Sequence, residues 1–132
     1  MQGRIYTSAF VLAVSLALQS TAVNAQQIGK ATSVKPDAHA NTRMLAAGTE
    51  VNANDTIRTG NTGVADLRFN DSSNLSVGPT SVVRLNKFVY DPNKGSGSAV
   101  IEVSRGAFRF VSGSQGSNYT VKTPSGTLGI RG

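Results

Sequence analysis

From Gly48 onward, short apolar runs are broken by turn-forming residues every six to ten positions. Val51, Ile57, the 64–69 stretch, Leu75-x-Val77, the 82–85 stretch and Phe88-Val-Tyr90 are apolar. They are divided by Gly48, Asn54-Asp55, Gly60-Asn-Thr-Gly63, Asn70-Asp-Ser-Ser73 and Gly78-Pro79. Asn and Asp bond their own local backbone, Gly opens left-handed conformations and Pro fixes φ, so each cluster bends the chain. A helix needs an apolar stripe with a period of about 3.6 residues over ten or more positions. No such stripe survives beyond residue 25. The 14 glycines argue the same way, since each one inside a helix costs about 1 kcal/mol. The chain is thereby restricted to an all-β domain of short antiparallel or meandering strands, in a rolled or solenoid-like sheet. No repeat unit of fixed length recurs, so a regular β-helix is not implied.

Alternation places the strands. In Ala65-Asp-Leu-Arg-Phe69 the apolar residues share one face while Asp66 and Arg68 share the other. Ile101-Glu-Val103, Phe108-Arg-Phe110 and Tyr119-Thr-Val-Lys-Thr123 repeat the design. Leu67, Phe69, Phe108 and Phe110 are the expected core, each contributing about 1.5–3 kcal/mol when fully buried. Residues 28–34 read as an opening strand, Pro36-Asp-Ala-His-Ala-Asn41 as a polar loop, and Arg43-Met-Leu-Ala-Ala47 as a short turn or the beginning of a strand. Tyr90-Asp-Pro-Asn-Lys-Gly-Ser-Gly-Ser98 reads as an excursion within one domain, and Gly113-Ser-Gln-Gly-Ser-Asn118 as a second flexible turn.

The first 25 residues have the make-up of a cleaved signal peptide: Arg4, an apolar run over 9–18, and Val23-Asn24-Ala25 before Gln26. That run is about half of the ~20 residues a spanning helix needs. Residues 26–132 are then a single domain, soluble after cleavage without stable membrane insertion, and periplasmic or secreted. With no cysteine, the chain has no disulfide, thiol nucleophile or thiolate metal site. It carries 13 basic and 7 acidic residues, and setting Arg4 aside leaves a net charge of +5. Such an excess favours anionic surfaces. However, Arg43, Arg58, Arg68, Arg84, Lys87, Arg105, Arg109, Lys122 and Arg131 are spread along the chain, and without a basic cluster or a groove-entering helix no nucleic-acid site is expected.

Nothing in the sequence assembles a catalytic constellation. Asp37, Glu50, Asp55, Asp66, Asp71, Asp91 and Glu102 show no pairing suited to glycoside hydrolysis, and Asp55, Asp71 and Asp91 fall in turns. His39 is the single histidine, in the expected polar loop. Asn70-Asp-Ser-Ser73 lacks the order of a calcium loop. The Gly-rich stretches lack the Gly-Lys-Ser/Thr ending of a phosphate-binding loop. No catalytic residue, metal ligand or cofactor site is expected, and the protein is read as a non-enzyme.

Asp55-Thr-Ile57-Arg-Thr59-Gly60 is followed by Ala65-Asp-Leu-Arg-Phe69, Asn70-Asp71-Ser72 and Leu75-Ser-Val77-Gly-Pro79-Thr-Ser81. Gly106-Ala-Phe108-Arg-Phe110 and a closing Thr123-Pro124-Ser-Gly126 to Ile130-Arg131-Gly132 complete the series. In order and spacing these segments resemble the FecR domain, from about Ile28 to the last residue, and look closest to small secreted members of that family. The resemblance implies a periplasmic sensing module. In the best-described relatives such a module detects an outer-membrane transporter and signals through a transmembrane helix to a sigma-binding segment. There are two departures. Ser72 stands where the family has glycine, which implies a different local backbone. The sequence ends at Arg131-Gly132 where family domains continue into another strand, so an open sheet edge is expected.

The function expected is that of an exported binding module engaging a protein partner in the cell envelope, for sensing or as a scaffold. The alternatives are assembly through the open edge, or binding of an anionic envelope glycan. Arg58, Arg68, Arg109, Lys122 and Arg131 are the candidate partner contacts, while Thr59, Gly60, Pro79, Pro124 and Gly126 are assigned to turn geometry.

Overall fold

The computed structural model describes residues 26–91, 93–113 and 118–131. The expected leader and most of the 113–118 turn lie outside them. The strands are β1 (Gln27–Lys35), β2 (Ala38–Ala40), β3 (Arg43–Met44), β4 (Glu50–Asn52), β5 (Thr56–Thr59) and β6 (Val64–Phe69). They continue with β7 (Asn74–Val77), β8 (Val82–Asp91), β9 (Ser96–Arg105), β10 (Phe108–Val111), β11 (Asn118–Thr123) and β12 (Gly126–Arg131). No helix forms among the described residues. The strands divide between two open sheets, one ordered β10-β7-β6-β1-β4 and the other β12-β11-β9-β8-β5-β2-β3.

The two sheets enclose one core. Leu67, Leu75 and Val77 of the first sheet and Ile57, Val83, Leu85, Ile101 and Val121 of the second are buried together. Two aromatic contacts join the layers: Phe69 stacks on Phe88 at 5.3 Å, and Phe110 meets Tyr119 at 4.8 Å. Leu67 and Phe69 are core residues as the alternation predicts. Phe108 and Phe110 are only half-buried, because β10 is the outermost strand of its sheet.

Three local features differ from the sequence reading. Ala38-His-Ala40 is a strand rather than a polar loop. It lies between β3 and β5, and both alanines are buried. The 90–98 excursion is largely strand, with β8 running to Asp91 and β9 starting at Ser96. Finally, β9 and β11 pair in parallel, Ser98 opposite Asn118 through Glu102 opposite Lys122. A parallel pair needs a crossover, and β10 supplies it by crossing to the opposite sheet before the chain returns.

The turn carboxylates are structural. Asp55 accepts hydrogen bonds from the Asn52 amide and the Asn41 side chain, and Arg43 pairs with it at 2.6 Å. Asp71 accepts from the Ser73 amide and hydroxyl, while the buried Tyr119 hydroxyl donates to its other oxygen. Asp91 caps the next turn through the Asn93 amide. Ser72, beside Asp71, has φ of 69°. This is the left-handed conformation that glycine adopts freely, so serine keeps a glycine-type backbone there instead of changing it.

Segments far apart in sequence lock together beneath one end of the second sheet. The Thr59 hydroxyl donates to Gly78 O at 2.6 Å and accepts from the Ser81 amide at 2.9 Å. The Thr59 amide donates to Ser81 O, the Thr80 amide to Gly60 O and the Gly78 amide to Ala107 O. The Ala107 amide donates to the Ser81 hydroxyl at 3.2 Å. Gly106 has φ of 98°, and a Cβ there would lie 2.6 Å from Ser81 Cα. Thr59-Gly60, Gly78-Pro79-Thr-Ser81 and Gly106-Ala107 are thus one hydrogen-bonded junction.

Candidate functional site

The five candidate side chains do not form one patch. Arg58, Lys122 and Arg131 alternate with the inward residues of β5, β11 and β12, so they lie on the outer face of the second sheet. Arg68 and Arg109 lie on the outer face of the first sheet, beside Lys30 and Ser76 respectively. A single flat partner cannot reach both groups.

Arg58 has the most developed surroundings. It lines a depression of about 320 Å³ with Asp37, His39 and Arg105, above Thr59, Gly60, Ser81 and Val82. Register explains the grouping: Arg58 lies opposite both His39 and Val82, and Val82 lies opposite Arg105. His39 Nδ1 is 3.0 Å from Asp37 Oδ1. His39 and Arg105 were not candidates, because strand pairing and not sequence proximity brings them to Arg58. The basic residues are dispersed in sequence, whereas the fold gathers two arginines at one depression.

Lys122 borders a shallower hollow of about 290 Å³ with Glu102 and Pro124. Glu102 also lies opposite Arg84, so this row alternates in sign. Arg131 closes a hollow of about 430 Å³ along β11 and β12. Here β12 is the last strand of its sheet and, among the described residues, pairs only with β11. Leu128 sits opposite buried Val121, on the inward side, yet is 54% exposed because the first sheet does not cover it. Its neighbour Ile130, opposite Tyr119, is half-buried. Among the described residues no group of three His, Cys, Asp or Glu side chains is placed to hold a metal ion.

The fold therefore defines an open two-sheet β domain with an uncovered edge and separate basic surfaces. The family model for FecR protein matches residues 55–132, more than half of the chain, and the protein belongs to the FecR family. The match begins at Asp55 rather than at the expected Ile28, so β1 to β4 precede it. Family membership associates the domain with signalling and sensing in the envelope. No curated protein and no solved structure matches the chain significantly. No helix among the described residues is long and apolar enough to cross a membrane.

Proposed function

We propose that this protein is an exported, non-enzymatic FecR module that engages a protein partner in the cell envelope, with residues 1–25 removed as a signal peptide and residues 26–132 acting in the periplasm or outside the cell. The supporting observation is the outer edge of β12, unpaired among the described residues, with Leu128 uncovered on the same strand. An open edge offers backbone donors and acceptors to an incoming extended segment, and inward side chains choose among such segments. Lys122 and Arg131 flank this edge and would add charge selection. Arg68 and Arg109, on the other face, belong to a different surface.

The test is site-specific photo-crosslinking in the full chain, exported by its host. Probes replace Thr127 and Leu128 on β12, with Lys30 on the first sheet as control. A discrete protein adduct at β12 and none at Lys30 supports the reading, and no adduct at β12 overturns it. Adducts of twice the protein's own mass would instead favour the second reading, assembly through the same edge. Mass spectrometry of the purified protein checks the leader, with Gln26 expected as the first residue.

A further inference from the structure

The depression around Arg58 is remote from the β12 edge in the strand order and points to a different ligand. The geometry assigns it as a subsite for a single small oxyanion, a phosphate or carboxylate group, held between Arg58 and Arg105. Both arginines lie opposite Val82, one on each side. Their backbones are thus two strand spacings apart, about 10 Å. Two long guanidinium side chains from that separation can close on one group, and arginine's planar fork suits oxyanions in two-bond geometry.

The charge pattern separates this pair from the cations that face a carboxylate, and the shared depression separates it from Arg68, Arg109 and Arg131. Arg84 and Lys122 lie opposite Glu102, Lys30 lies opposite Glu50, and Arg43 is paired with Asp55. Arg58 and Arg105 have no carboxylate opposite them in register and no ion pair among the described residues. The one carboxylate lining the depression belongs to Asp37, which already faces His39 Nδ1. Two guanidiniums against one carboxylate leave a net positive charge at a hollow of about 320 Å³, which has room for a compact anion. Asp37 on its rim opposes an extended polyanion running across it. The floor is preset, since the Thr59 and Ser81 hydroxyls are engaged in the junction beneath. That junction holds β5, β8 and the end of β9 in register, so the arginines project from fixed strands.

The experiment is a two-dimensional amide NMR titration of the exported protein with inorganic phosphate and, separately, glutarate. Chloride is exchanged to keep ionic strength constant. Saturable shifts are expected at Arg58, Gly60, Val82 and Arg105. The doubly substituted R58Q/R105Q protein should bind at least about tenfold more weakly with an unchanged melting temperature, whereas R68Q/R109Q should bind like the parent. D37N, which removes the rim carboxylate, should tighten binding and tests the site even if the double variant folds poorly. Saturation by phosphate alone assigns a phosphate ligand, and saturation by glutarate alone assigns a carboxylate. Non-saturating shifts, shifts spread equally to Arg68 and Arg109, or affinity unchanged in R58Q/R105Q would overturn the assignment.

Discussion

Replacing Tyr119 by phenylalanine tests how the two sheets are tied. Tyr119 is 2% exposed, and its hydroxyl donates to the Asp71 carboxylate, itself 3% exposed. The two residues lie on opposite sides of the core, at the β6–β7 turn and on β11. The substitution keeps the ring and its 4.8 Å contact with Phe110, so it removes only the hydroxyl. A hydrogen bond to a carboxylate contributes about 1.5–3 kcal/mol. Asp71 retains its bonds from Ser73, which limits the loss to about 2 kcal/mol. With a urea slope of about 1–3 kcal/mol/M, the midpoint should fall by about 1 M while the slope is unchanged. Urea unfolding followed by far-UV circular dichroism measures it. A cycle with D71A should show coupling of at least about 1 kcal/mol, because the two groups share one interaction. A loss below about 0.5 kcal/mol, or strictly additive single effects, would refute the tie.

The other predictions concern the junction and the turns. Thr59→Val leaves Gly78 O and the Ser81 amide without this partner, and should cost about 2–4 kcal/mol in thermal unfolding. Gly106→Ala meets both a left-handed φ and the Ser81 backbone, and should cost about 3 kcal/mol or more, read as lost soluble yield or a lowered melting temperature. Ser72→Gly relieves a left-handed serine whose side chain is exposed, and should raise stability by about 0.5–1 kcal/mol in the same assay. Exposed R58Q and R105Q should each change stability by less than about 0.5 kcal/mol, so a larger change would mean that these arginines support the fold.

Strands with strict alternation are readable from sequence. From Ala65 to Phe69 of β6, and in β11, the apolar residues fall at every second position, and the buried residues are those residues. Ala38 and Ala40 escaped notice because alanine gives a weak apolar signal, although its small size suits close pairing between β3 and β5. Ser72 hid a glycine-type conformation behind a side chain that rarely adopts it. The Arg58 and Arg105 pairing was invisible for another reason. It depends on β5, β8 and β9 being neighbours, and nothing local in the residues around either arginine encodes that adjacency. Gly60 and Pro79 lie between strands as the sequence indicates, whereas Thr59 is the last residue of β5, and their mutual bonding through Ser81 and Ala107 needs the folded chain.

The crossover of β10 also ties the two sheets together along the chain. Strands β9 and β11 are neighbours in one sheet, while β10, between them in sequence, pairs with β7 in the other. Loss of the β10–β7 pairing would therefore loosen the segment that leads into β11, whose Tyr119 and Val121 are part of the core.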